Sequence, residues 1–477
     1  MSTETTSSFD LVVIGAGTGG YAAAFRAAQL GMSVALVDRA RIGGTCLHWG
    51  CIPTKAMLES ADLLDRIRHA KDFGIGVGEP TPDLPAIAAR RDQIVERMTK
   101  GLLSLVRKHK VELIRGEATL RGATTIHVAL LDDDGKPAGE RVLTSRDTIL
   151  ATGSRTKSLP GLTPDGTRIV TSDHILRSDR APASLVVVGA GAVGMEFASF
   201  YADMGTKVTV LEYAPAVTPL EDAEVAKEME RAFTKRGIAI VTNARFDPAA
   251  VTADDDGVRL MVGREGEAPA ELRAEQLLVA TGRAANTDGV GLETTKAVVE
   301  RTLVKVDQAT MATAEPHLYA IGDIIGGLWL AHVAAHEGIN AVSAIAGEEV
   351  HTLDYTKMPR ATYTRPQIAS IGRTQAECER DGIPVKAGKV PFQAIGKAVI
   401  HGETGGFAKV LAHAETDEIL GIHLIGAHVT ELIAEASAAM LFEATAWEVG
   451  SAVHPHPTLS EVIGEATLAV AGRSINF

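Results

Sequence analysis

Cysteine is scarce in this chain: Cys46, Cys51 and Cys378 are the three among 477 residues. So few exclude a disulfide scaffold and, with no export signal read at the start, point to the reducing cytoplasm. Basic charge is short as well. A formal net charge of −13 leaves no cationic excess to displace counterions, which argues against a nucleic-acid partner. No apolar run approaches the roughly 20 residues that cross a bilayer, so no membrane segment is expected. Residues 1–10 carry neither arginine nor an apolar stretch, so neither a secretory signal nor a transit peptide is expected there. Residues 1–8 are expected to be a disordered tail. Aromatic residues reach only 4%, against 47 glycines, a balance that suits an α/β protein with many tight turns.

What is present is more telling. Hydrophobic residues make up 45% of the sequence, enough for sizeable cores, and the length suits about three domains. An apolar strand at residues 11–14 runs into Gly15-Ala-Gly17-Thr-Gly-Gly20, and a second strand at 184–188 runs into Gly189-Ala-Gly191-Ala-Val193-Gly194. An Ala-rich helix and another apolar strand follow each turn, ending in Asp38 and in Glu212. The glycines and the acids are both offset by 174 positions, so two βαβ units of one length are expected. Each has the pattern of a dinucleotide site: glycines for a sharp turn and close pyrophosphate approach, and an acid about 20 residues on for ribose hydroxyls. Two further strands, at 148–154 and 277–283, end in Ala-Thr-Gly. They place Thr152, Gly153 and Gly282 where the chain crosses near the cofactors.

The expected fold class is α/β, with two Rossmann-like dinucleotide-binding domains and a C-terminal α+β dimerisation domain. Residues 9–150 begin the first nucleotide domain, with a helical insertion from about 53 to 110 where Leu, Ile and Met recur at helical spacing. Residues 151–280 form the second nucleotide domain, and 281–350 return to the first. From 351 to 477, strands near 361–364, 406–411 and 419–425 precede a helix over 431–442. The polar segments 132–139 and 253–257 read as hairpin loops.

Cys46 and Cys51 lie shortly after the first glycine turn. Five positions apart at the start of a helix, they can approach closely enough to pair, and a helix N-terminus favours thiolate. The alternative is two buried structural cysteines. No second Cys/His pair follows at ligand spacing, so no metal site is expected. Thiol exchange needs a base, and His456, with Glu461 five residues on to orient it, is the candidate; His454 is its rival. Glu212 is followed by Tyr213-Ala-Pro with no arginine, which favours NAD over a 2′-phosphorylated cofactor.

Three segments carry a specific resemblance: Gly43-Gly-Thr45-Cys46-Leu-His-Trp-Gly-Cys51-Ile-Pro-Thr-Lys55, Ala320-Ile-Gly-Asp323 with Leu330-Ala331-His332, and His454-Pro-His456-Pro-Thr-Leu-Ser-Glu461. On these the chain resembles the pyridine nucleotide–disulfide oxidoreductase family over nearly its whole length. Asp38 stands where glutamate is commoner, and His48-Trp49 replaces the usual Asn-Val. The resemblance implies FAD and NAD as cofactors and a Cys46–Cys51 redox disulfide, with Cys46 exchanging with substrate and Cys51 next to flavin. It implies that Lys55 pairs with Glu196 beside the flavin ring. Thr45, Ala118, Asp323 and Ala331 join Gly15, Gly17, Gly20 and Asp38 in holding FAD. The implied activity is oxidation of dihydrolipoamide borne on a lipoyl domain of a 2-oxoacid dehydrogenase complex, by a homodimer whose His456 serves the other chain's disulfide. A glutathione- or mercuric-reductase-like activity and a non-catalytic flavoprotein sensor are the alternatives.

Overall fold

A computed structural model describes residues 6–477 of the chain. They form two compact units, one from residues 6–56, 89–157 and 283–353, the other from 57–88, 158–282 and 354–477.

The first unit is built on a parallel sheet. Thr6–Ile14 lies between Val34–Asp38 and Pro137–Leu150, with Leu11 opposite Val34 and Ile14 opposite Leu150. Glu112–Leu120 and Leu318–Ala320 add further parallel strands on either side. Thr125–Leu131 closes an antiparallel meander between Glu112–Leu120 and Pro137–Leu150. Leu11, Val12 and Val13 have no exposed surface, because both faces are covered: Leu11 and Val13 pack with Ala23 and Ala341 of two helices, and Val12 with Ile126 and Val128 of the meander; continuous Val/Leu/Ile runs are what a strand buried on both faces requires. The helices Thr18–Gln29 and Ala331–Ala346 meet through small residues: a Cβ on Gly338 would sit 2.6 Å from the Gly19 carbonyl oxygen.

The expected tail over residues 1–8 needs correction. Thr6, Ser7 and Ser8 belong to the first strand, in register with Val142, Leu143 and Thr144, and Arg141 donates to Ser7 Oγ at 2.7 Å. The long Pro137–Leu150 strand offers backbone partners that polarity alone does not reveal. Residues 1–5 lie outside the described residues.

The second unit holds a five-stranded parallel sheet in the order Ala239–Val241, Lys207–Leu211, Ser184–Val188, Gln276–Val279, Ile169–Thr171. It also holds an antiparallel sheet in the order Arg360–Thr362, Gln367–Gly372, Ile419–Gly426, Phe407–His413, Val385–Pro391. The strands 367–372 and 385–391 go beyond those expected from the sequence. The helices Val429–Leu441 and Glu461–Val470 cover the antiparallel sheet, burying Ile433, Val462 and Ile463. A buried ion pair joins the antiparallel sheet to the N-cap of the helix Ala223–Lys235: Lys409 Nζ lies 3.0 Å from Asp222 Oδ1, with side chains only 3% and 2% exposed. The insertion expected over 53–110 is two helices, Cys51–Arg68 and Leu84–His109.

Candidate active site

The two glycine turns repeat each other bond for bond. Gly15 donates to the Val37 carbonyl at 2.7 Å, and Gly189 to the Leu211 carbonyl at 2.8 Å. Asp38 accepts the amides of Ala16 and Ala40 at 2.6 and 2.7 Å. Glu212 accepts those of Ala190 and Ala214, both at 2.7 Å. Burial pushes the Asp38 carboxyl up despite its two amide donors. At the third glycine of each turn a side chain is impossible: a Cβ would fall 1.8 Å from the Gly15 oxygen at Gly20, and 1.9 Å from the Gly189 oxygen at Gly194.

The middle glycines differ. A Cβ at Gly191 would meet nothing within 4 Å, and at Gly17 only the Gly44 Cα at 4.0 Å. Here glycine leaves room for something other than protein. Gly17 and Gly191 are also the N-caps of Thr18–Gln29 and Ala192–Asp203, and neither supplies a side-chain cap. Unsatisfied N–H groups at a helix start, with space in front, fit a pyrophosphate. The residues present fit dinucleotides in both turns. Val193, the second residue of its helix, is 41% exposed at the second turn.

The Ala-Thr-Gly segments lie against these turns. A Cβ on Gly15 would strike the Ala151 oxygen at 2.1 Å, and one on Gly189 the Ala280 oxygen at 2.5 Å. Thr152 donates to the Asn286 carbonyl at 2.7 Å, Gly153 accepts the Asn286 amide at 2.9 Å, and Gly282, at φ 108°, has open space. Ser154 donates to the Asp323 carboxylate while accepting from Arg283 Nε at 2.6 Å, so Asp323 is held from the side. Buried Glu337 accepts the Gly322 amide at 2.7 Å, bracing the turn that carries Asp323. The sequence alone does not mark Ser154, Arg283 and Glu337 as site residues, because their partners lie far along the chain or one helix away. Ala331 opens the helix 331–346, which also starts without a side-chain cap, and Ala118 pairs with Val128 in the meander.

Two glycines seat the cysteines on the first turn. Gly43 donates to the Ala16 carbonyl at 2.8 Å, and a Cβ on Gly44 would come within 2.6 Å of the Gly17 Cα. The helix Gly44–His48, carrying Thr45 and Cys46, is thereby pinned beside the nucleotide turn, and Cys51 starts the next helix. Both cysteines are half-buried. Their mutual hydrogen bond and burial push the Cys46 thiol up, while the Lys55 ammonium, one turn beyond Cys51, works against that. The Lys55 cation beside the pair favours thiolate. His48 has a packing role: its Nε2 is 2.9 Å from the Ile42 carbonyl, burial pushes it towards the neutral form, and its ring rests against Trp49 at 5.3 Å. Cys378 is fully buried, and burial raises its thiol.

In the second unit, His456 Nδ1 lies 2.9 Å from Glu461 Oε1, and Thr458 donates its amide to the other carboxylate oxygen at 2.8 Å. Burial works to raise the Glu461 carboxyl, but these two donors hold it below the usual range. Nδ1–H facing a carboxylate leaves Nε2 as the basic nitrogen, on a ring whose side chain is 77% exposed. His454 has both nitrogens engaged, with Ala452 at 3.1 Å and Glu435 at 2.7 Å. Glu196 is buried and accepts the Tyr363 amide at 3.0 Å. Beside Glu212, the Arg245 guanidinium stacks 3.8 Å over the Tyr213 ring, an arginine that the segment following Glu212 does not disclose.

A family model described as pyridine nucleotide-disulphide oxidoreductase matches residues 9–338, and one for the dimerisation domain of the same family matches 358–467. Dihydrolipoyl dehydrogenase of Bacillus subtilis is 44% identical, covering all of both chains. That of Zymomonas mobilis is 42% identical over 98% of this chain and 99% of its own. Among solved structures, LpdA of Mycobacterium tuberculosis superposes with a TM-score of 0.87 at 28% identity, covering 97% of this chain and 99% of its own. The HOCl-induced flavoprotein disulfide reductase RclA of Escherichia coli shares the fold, with a TM-score of 0.83 at 24% identity over 96% of this chain and 99% of its own. Among the described residues, no helix is long and apolar enough to cross a membrane.

Proposed function

Because the chain belongs to the pyridine nucleotide-disulphide oxidoreductase family, we propose that it is an FAD-dependent dihydrolipoyl dehydrogenase. It oxidises dihydrolipoamide with NAD⁺, giving lipoamide, NADH and a proton. The observation that carries this reading is the seating of Cys46 and Cys51 against the first glycine turn through Gly43 and Gly44. FAD fits the turn at Gly15, Gly17 and Gly20, with Asp38, Thr45, Lys55, Ala118, Thr152, Gly153, Asp323 and Ala331 around it. NAD fits the turn at Gly189, Gly191, Val193 and Gly194, with Glu212 and Gly282. When bound, FAD supplies the two-electron relay between the thiol pair and the nicotinamide.

The chain's own residues handle sulfur and protons. In the oxidised enzyme Cys46 and Cys51 share a disulfide. A substrate thiolate attacks Cys46, the S–S bond breaks, and its electron pair stays on Cys51. The second substrate thiol then displaces Cys46 and closes lipoamide. His456 takes up the thiol proton through Nε2, with Glu461 stabilising the charged ring. Lys55, with Glu196, tunes the flavin side of the pair.

The proposed domain plan assigns 9–150 and 281–350 to FAD, 151–280 to NAD and 351–477 to a homodimer interface, in which His456 serves the disulfide of the second copy. The match of 358–467 to a dimerisation domain supports that arrangement. The substrate is expected on a lipoyl domain of a 2-oxoacid dehydrogenase complex, in the cytoplasm, where free thiols persist. The test is steady-state turnover of dihydrolipoamide, glutathione disulfide and Hg²⁺ with NAD(H) and NADP(H). Dihydrolipoamide with NAD⁺ should far exceed the rest; preferred turnover of another pair would overturn the assignment.

A further inference from the structure

Away from the thiol chemistry, the second unit gathers a different set of ligands. His401 ends the short helix Gly396–His401, and Glu403 follows across Gly402, whose φ of 76° turns the chain back. His428 caps the helix Val429–Leu441 in the left-handed conformation, at φ 56°. His401, Glu403 and His428 each present one ligand atom, and these atoms lie within 4.8 Å of one another. The imidazoles meet edge to face with centroids 5.9 Å apart, and His428 Nε2 is 4.0 Å from Glu403 Oε2.

The backbone under these groups is anchored. Gly402 and Glu403 donate to the Val399 and Ala398 carbonyls, and Ala398 has no exposed surface. Val429, next to His428, is equally buried, and Thr430 donates to Gln367 Oε1 at 2.8 Å. Ligands on supported backbone need little reordering to close on an ion.

The Asp62 carboxylate lies near Glu403, and Asp65 and Arg66 of the same helix face it too. A bound dication would relieve the repulsion between the two carboxylates. Two imidazole nitrogens and one carboxylate oxygen suit a borderline transition metal rather than Mg²⁺ or Ca²⁺. Three protein ligands leave a position for water.

We propose that His401, Glu403 and His428 form a binding site for one divalent transition-metal ion of the Zn²⁺ class. Sequence spacing did not disclose it, because His428 is brought to the other two by the strand pairing of Phe407–His413 with Ile419–Gly426.

The test titrates untagged, oxidised holoenzyme with Zn²⁺ against a chromophoric chelator, Cys46 and Cys51 being closed to metal as a disulfide. One site per chain is expected. His401→Gln and His428→Asn should each weaken it by more than the roughly 10- to 100-fold typical of losing a supporting partner. Asn tolerates the left-handed conformation at 428, and flavin content and lipoamide turnover of both variants should match the wild type. X-ray absorption on the Zn²⁺-loaded wild type gives an independent reading, with two imidazoles and no sulfur expected. Unchanged affinity in both variants, or sulfur in the first coordination sphere, would overturn the site.

Discussion

His456 and Glu461 form a 2.9 Å contact between Nδ1 and a carboxylate oxygen, in a loop where Thr458 fixes the other oxygen. This directs the basic Nε2 outward and predicts a selective defect. His456→Ala should slow lipoamide turnover on the order of 10²–10⁴-fold, the range for a lost general base, while NADH oxidation by ferricyanide largely survives. An equal loss in both assays would make His456 structural. Reassociating inactive Cys46→Ser and His456→Ala homodimers should restore activity if the base acts across the interface.

Cofactor choice should follow Glu212. Its carboxylate holds Ala190 and Ala214, so it is already placed for a free ribose hydroxyl and repels a 2′-phosphate. The wild type should show a higher kcat/KM for NAD⁺ than for NADP⁺, and Glu212→Arg should narrow or invert the ratio. Equal wild-type values would refute the electrostatic argument.

Gly44 tests the seating of the thiol segment. At φ 58°, with the Gly17 Cα 2.6 Å from where a Cβ would stand, Gly44→Val must push the cysteine helix off the turn. The purified variant should lose most of its flavin absorbance, whereas Gly76→Ala, in open space, should keep it. Full flavin retention in Gly44→Val would show that the close approach is dispensable.

The Lys409–Asp222 pair predicts an acid limb in stability. Burial alone would raise the Asp222 carboxyl, but His423, Lys409 and the Glu224 amide hold it below the usual range. A carboxyl lower in the folded state adds stability that is complete above its unfolded value, about 3.9. That stability is lost as pH falls through this value towards the folded one. Lys409→Met leaves the buried carboxylate unpaired and should cost about 3–5 kcal/mol at neutral pH. Denaturant unfolding at pH 7 and pH 3 measures both effects; a neutral-pH change within error would contradict the buried pair's importance.

The legible part of this molecule was the local part. The glycine turns and their acids declare themselves because strand, turn, helix and acid follow within one βαβ unit, and Asp38 and Glu212 do hold matching amides. Ser154 and Asp323, 169 positions apart, meet only through the tertiary fold. Thr6–Ser8 read as tail because polar residues in an edge segment resemble disorder until a partner strand is supplied. Arg245 reaches Tyr213 from 32 residues away, so the absence of arginine directly after Glu212 did not describe the space around it.

The most direct test of the account is reduction of the oxidised holoenzyme by one equivalent of dihydrolipoamide without oxygen, followed by alkylation and peptide mass mapping. Two new thiols per chain should appear, at Cys46 and Cys51, together with a long-wavelength absorption band that Cys51→Ser abolishes while keeping FAD. Reduction that leaves Cys46 and Cys51 unlabelled, or NADH formation from dihydrolipoamide that persists in Cys46→Ser/Cys51→Ser, would contradict the account.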